Sequence, residues 1–191
     1  MLIKMKKYIL IIIVLFSIKS TYSQIVPLTT LYPTAGSHVK DLDNIFDRYI
    51  GTWVGTTNGK QYTFVIQKFE DIELENSDHQ VYYRDRIKMK FKVVNIATNQ
   101  VIYDDITSNI FKSTGVIPHH KMCKFNFFDT RQNCRNFAEF YLKQYNHNIN
   151  QLEFDAPRFD PNMDSLPCPL NPTRSNIVFY LPLNNFVLNK Q

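Results

Sequence analysis

Apolar and polar residues alternate with a period of two through most of this chain. The clearest stretch is a hairpin. Tyr62, Phe64 and Ile66 alternate with Thr63, Val65 and Gln67. After a polar turn over Glu75–Gln80, Ile87, Met89, Phe91 and Val93 fall on one face, with Arg84, Arg86, Lys88, Lys90 and Lys92 on the other. A turn centred on Ser77-Asp78 predicts Tyr62 opposite Val93, Phe64 opposite Phe91 and Ile66 opposite Met89. The same register predicts Asp71 opposite Arg84 on the solvent side. A first strand is expected from Thr52, ending at the Asn58-Gly59 turn, whose residues tolerate positive φ. Further strands are expected at Gln100–Tyr103, Ile106–Phe111, Lys121–Phe128, Arg135–Tyr145, Gln151–Asp155, Ile177–Leu181 and Asn185–Leu188, with a loop over 156–175.

Two segments break this rhythm. Leu42, Ile45, Phe46 and Tyr49 recur at three- and four-residue spacing, which predicts a short amphipathic helix within His38–Tyr49. At the N-terminus, Lys4, Lys6 and Lys7 precede the apolar run Tyr8–Phe16, and Thr21 and Ser23 place small residues before a cut at Ser23/Gln24. This is the pattern of an export signal over residues 1–23, and the run is shorter than the ~20 residues a membrane span needs. The mature chain, 24–191, is expected to be one β domain in the periplasm or outside the cell.

Removing the signal changes the charge. The chain has 22 Lys+Arg and 17 Asp+Glu, and residues 1–23 hold four Lys and no acid. The mature balance is therefore 18 against 17, and the basic character gives no reason to expect a nucleic-acid partner. Three cysteines remain, Cys123, Cys134 and Cys168. Two can pair: Cys134–Cys168 would pin the 156–175 loop to the sheet, leaving Cys123 as a buried thiol. The other possibility is no bridge at all.

The short strands describe an antiparallel barrel or half-barrel with a short N-terminal helix. Gly51-Thr52-Trp53 at the start of the first strand resembles the opening of lipocalins, whose Trp packs across the closed end. The segments Val39–Asn44, Tyr49–Trp53, Tyr82–Arg86 and Leu181–Leu188, with the signal ending before Gln24, resemble a family of small uncharacterised secreted proteins of flavobacteria and their relatives. That resemblance implies an exported β-protein and a cysteine pair at Cys134 and Cys168, and it implies no catalytic residue. There is no clear second or third lipocalin motif.

Candidate chemistry is sparse. Trp53 is expected to be core packing, perched against a cation, more than a pocket wall. The basic ladder Arg84–Lys92 could take an anionic polymer or membrane surface, but is expected to be a solvated face balanced by Glu70, Asp71, Glu73 and Glu75. His119-His120 near Asp104-Asp105 is a poor metal set, because adjacent side chains of an extended chain diverge. Asp160–Asp164 copies the start of a calcium loop, but Ser165 stands where that loop needs Gly. Glu139 and Glu153 are the carboxylate pair to inspect for glycoside chemistry, and Cys123 lacks any local feature that would activate it. No Gly-x-Ser-x-Gly elbow, His-Glu-x-x-His helix or phosphate-cradling loop is present. No cofactor, metal or membrane span is expected. The leading expectation is a non-enzymatic barrel binding a small apolar ligand through Tyr62, Phe64, Ile66, Met89 and Phe91, with Trp53, Cys134 and Cys168 as structural residues. The alternatives are a module docking onto a cell-surface protein partner and, last, a hydrolase.

Overall fold

Strands follow wherever the period of two is sustained. A computed structural model of the chain describes residues 23–119, 122–129, 136–158 and 180–191. Two three-residue strands, β1 (Ile25–Pro27) and β2 (His38–Lys40), precede a 3₁₀ turn at Ile45–Arg48. The first long strands are β3 (Gly51–Thr57), β4 (Lys60–Glu75) and β5 (Val81–Asn95). Then come β6 (Val101–Asp104), β7 (Ser113–His119), β8 (Met122–Asp129), β9 (Asn136–Gln144), β10 (Gln151–Arg158) and β11 (Phe186–Lys190).

Eight of these close a barrel in the order β5, β4, β3, β11, β10, β9, β8, β7, with β7 returning antiparallel to β5 through Ile87↔Gly115 and Met89↔Ser113. One edge of β5 serves three partners in turn. β2 pairs at Tyr83 and Arg84, β7 at Ile87–Met89, and β6 at Lys92–Val94. The β4–β5 register is the expected one: Tyr62↔Val93, Phe64↔Phe91 and Ile66↔Met89. It slips by one residue between Phe69 and Ile72, so Arg84 faces Ile72, not Asp71. Asp71 sits at φ 51° in this bulge, an extra residue that re-aims its side chain.

Three expectations need correction. The helix within His38–Tyr49 does not form. Residues 38–40 extend beside β5, Asn44 takes a left-handed φ of 51°, and only Ile45–Arg48 turn, as 3₁₀. The strand at Ile106–Phe111 is replaced by turns. Asp104 Oδ1 accepts from Ile106 N at 3.0 Å and Ser108 Oγ from Ile110 N at 3.0 Å, local side-chain bonds that compete with a ladder. The strand after it, β7, is absent from the sequence-based expectation, and it runs through Gly115 and Pro118, residues that seldom sit inside strands. Gly115 is required here: a Cβ would lie 2.7 Å from Ile87 Cγ1 and 2.9 Å from Phe125 Cε1. Cys134, Cys168, the Asp160–Asp164 loop and the body of the Ile177–Leu181 strand lie outside the described residues, as does all of the export signal except Ser23.

The 3₁₀ turn plugs one end of the barrel. Phe46, Tyr49 and Trp53 are buried in the same core cluster, and Trp53 Nε1 donates to Tyr49 O at 2.7 Å. Lys190 Nζ lies 5.2 Å from the Trp53 ring centroid, within cation–π range.

Candidate functional site

The inward faces were the expected ligand site, and their geometry decides what they can do. Tyr62, Phe64, Ile66, Met89 and Phe91 all point inward and are at most 3% exposed. Phe64 lies 5.6 Å from Phe154 of β10, and Phe91 5.4 Å from Phe127 of β8. Phe64 and Phe154 sit three strands apart and meet across the interior, whereas Phe91 reaches Phe127 over the intervening β7. Phe140 continues the stack at 4.9 Å from Phe154 and 5.5 Å from Phe125. At this level the space is occupied by rings at normal packing distance. Cys123 is free and buried, its Sγ 3.4 Å from Val116 O, and burial pushes its thiol pKa well up. A thiol held protonated is a poor nucleophile.

A polar cluster at the plugged end escaped the sequence reading. Asp85 is 3% exposed on the core face of β5. Its Oδ1 accepts from Asp71 N and Lys40 Nζ, both at 3.1 Å, and its Oδ2 from Asp41 N at 3.1 Å. Asp41 in turn accepts from Ile45 N at 2.7 Å and Phe46 N at 3.1 Å. Two carboxylates thus hold the bulge, β2 and the 3₁₀ turn together, satisfying amides that the turn would otherwise orphan. Asp71 joins from outside, 2.6 Å from His38 Nδ1 and 2.8 Å from Lys40 Nζ. Those two bonds hold its carboxyl below the usual range. The readable signal was Asp85 itself, a carboxylate in phase with Ile87, Met89 and Phe91.

The remaining candidates separate. Glu139 binds Lys124 Nζ at 2.8 Å, and Glu153 binds Lys143 Nζ at 3.5 Å. Glu153 sits opposite Lys143 of β9, four residues beyond Glu139. That is roughly 13 Å along the strand, too far for the ~5–9.5 Å of a glycosidase pair. The side chains of His119 and His120 lie outside the described residues, and among the described residues no cluster of three or more metal-ligating side chains occurs. The expected balancing of the basic ladder fails. Asp71 binds His38 and Lys40, Glu70 binds Lys68 and Lys40, and Glu75 binds His79.

Asp105 is a second buried acid, 4% exposed, with Oδ1 accepting from Phe91 N at 2.6 Å and Oδ2 from Tyr103 Oη at 3.0 Å. Burial raises its pKa, partly offset by those bonds. A raised carboxyl pKa means that the fold opposes its ionisation, so this group favours the folded state more as pH falls through the folded value. Asp105→Asn keeps one acceptor for the Phe91 amide without the charge, and its NH2 can donate to the Tyr103 hydroxyl in place of the second contact. It should leave stability at pH 7 within about 1 kcal/mol of the parent or above it, whereas Asp105→Ala should lose about 1–3 kcal/mol through the orphaned Phe91 amide. Urea unfolding at pH 5 and 7 checks both.

A closed eight-stranded antiparallel barrel, plugged at one end beside a buried tryptophan, makes this a lipocalin-like β-barrel protein. More particularly, the chain belongs to a family of unknown function, DUF6705, whose model matches residues 5–191. No curated protein and no solved structure matches it. No helix among the described residues is long and apolar enough to cross a membrane.

Proposed function

We propose that this chain is an exported, non-catalytic interaction protein, a filled barrel that presents its partner contacts on the outside. The observation that carries this reading is the ring contact Phe64–Phe154 between β4 and β10, three strands apart, supported by Phe91–Phe127 over β7. A carrier of small apolar molecules needs a pocket of ~300 Å³ or more among its apolar walls; at the level of these rings the walls touch. The carboxylates at the plugged end are spent on backbone amides and lysines, an arrangement that favours scaffold work over proton transfer. The second reading, a carrier using Tyr62, Phe64, Ile66, Met89 and Phe91, is favoured only by the apolar character of the same faces.

Native mass spectrometry of the protein purified undenatured from its export host separates the two. The expected spectrum is the bare chain, and an apolar fluorescent probe such as aminoanthracene should show no saturable binding. A retained small molecule at one per chain, displaced by that probe and lost in Phe64→Trp, would establish the carrier.

A further inference from the structure

The outer face of β5 is not the charge-balanced surface that its sequence suggests. Residues of β4 that share this face are Gln67 opposite Lys88, Phe69 opposite Arg86 and Ile72 opposite Arg84. β7 adds Thr114 beside Lys88. The acids of the hairpin face the other way or lie in the bulge. The ladder is consequently uneven. Lys92 pairs with Asp104 at 3.1 Å, and Lys90 donates to the carbonyls of Ile106 and Ser108. Arg84, Arg86 and Lys88 have no carboxylate within ion-pair distance among the described residues. The Nε atoms of Arg84 and Arg86 are buried without a hydrogen-bond acceptor. A desolvated guanidinium lacking an anion is costly, and three cations at about 7 Å intervals form a straight row.

The row ends at an open notch of about 290 Å³ lined by Leu31, Tyr32, Asn76, Ser77, Gln80 and Tyr82, among others. The two are continuous: Arg84 Cζ lies 5.9 Å from the Tyr82 ring centroid, and Arg84 Nη2 donates to Thr30 O, next to Leu31. Tyr32 is 91% exposed. The notch also holds the Asp78 carboxylate, so it suits the C–H faces and hydroxyls of a sugar ring, on its tyrosines, amides and hydroxyls, and not the acidic groups themselves. The cationic row supplies the complement for acidic groups further along the same polymer. Along the row itself, Phe69 and Phe111 meet edge to face at 5.0 Å and carry the ammonium groups of Lys88 and Lys90. Bases of a nucleic acid would need those ring faces for stacking; a lipid surface would have only Leu31, 81% exposed, as an apolar contact in the notch, where an inserted apolar face is needed, so anionic vesicles are the competing outcome of the test.

We infer that the Arg84–Arg86–Lys88 row and the adjoining Tyr32/Tyr82 notch form a docking surface for an acidic polysaccharide. This rests on the proposal of an exported interaction protein and names its partner class. Affinity electrophoresis of the purified protein in gels containing alginate, a polyuronate, tests it. The parent should be retarded, less so as sodium chloride is added, since exposed charge contacts are screened. Arg86→Gln/Lys88→Gln should weaken retardation roughly tenfold, while Lys124→Gln/Lys143→Gln, the same two-charge change on β8 and β9, should not. Tyr32→Ala cannot disturb the core and should also weaken it. No retardation of the parent, equal loss in Lys124→Gln/Lys143→Gln, or no effect of Tyr32→Ala would overturn the inference. So would tighter binding of single-stranded DNA or of phosphatidylserine vesicles through the same residues. The native mass spectrum judges the underlying proposal separately, because a retained apolar ligand would refute that while leaving the gel result to stand.

Discussion

Trp53→Ala should lower the unfolding free energy by about 3–5 kcal/mol, the usual cost of removing a large buried ring. Trp53 is fully buried where β3 leaves the 3₁₀ turn, and three elements converge on it. Its indole N–H closes on Tyr49 O at 2.7 Å, its face carries Lys190 of β11, and its backbone pairs with Phe64 of β4. The alanine variant opens a cavity under the plug and leaves the Tyr49 carbonyl without its donor. Trp53→Phe keeps most of the ring and should lose less, about 1–2 kcal/mol from the missing hydrogen bond and the smaller volume. Trp53 is the sole tryptophan, so urea unfolding has to be followed by circular dichroism. An alanine variant within about 0.5 kcal/mol of the parent, the range of ordinary surface changes, would mean that the ring does not hold the plug.

What the sequence revealed divides along physical lines. The Tyr62–Val93 hairpin was legible because a strand's period of two admits only one register that keeps both apolar faces inward. That logic carries no information on where an extra residue is inserted, so the bulge at Asp71 and the loss of its pairing with Arg84 were not readable. In His38–Tyr49 the spacing identified Ile45, Phe46 and Tyr49 as buried but misjudged the backbone, and Leu42 is 57% exposed. Asp41 and Asn44 favour a capped tight turn over a continuous helix. For the ladder, the sequence assigned the right residues to the outer face and the wrong partners to them. The acids nearby in sequence alternate onto the opposite face, where Lys40 and Lys68 reach them. Whether the inward faces enclose a pocket was not readable for a different reason. Alternation tells which side chains point inward, whereas a hollow or filled interior depends on contacts such as Phe91–Phe127, made between strands that are not neighbours.

Asp85 is the residue on which those misjudged parts depend. Asp85→Ala should cost about 3–5 kcal/mol, because it leaves buried amides and a lysine without their acceptor. The amides of Asp71 and Asp41 lose their partner together, so the bulge and the approach to the 3₁₀ turn loosen at once. Asp85→Asn retains one carbonyl oxygen for these donors and should recover part of the loss. The acid response set by Asp71 should survive the loss of Asp85. The carboxyl of Asp71 has its pKa lowered by Lys40 and His38. Its contribution is therefore present above the ordinary value of 3.8 and is lost as pH falls through the lower folded value. With Asp85 gone, Lys40 keeps Asp71 at 2.8 Å as its nearest carboxylate, with Glu70 at 4.0 Å, and that acid-sensitive contribution should persist. Lys40→Met should shrink it while keeping the Asp85 amide bonds. Unfolding midpoints at pH 3, 4 and 7 for the parent and both variants separate the two effects. If Asp85→Ala unfolds like the parent, the bulge is held by strand pairing alone, and the buried carboxylate is a passenger.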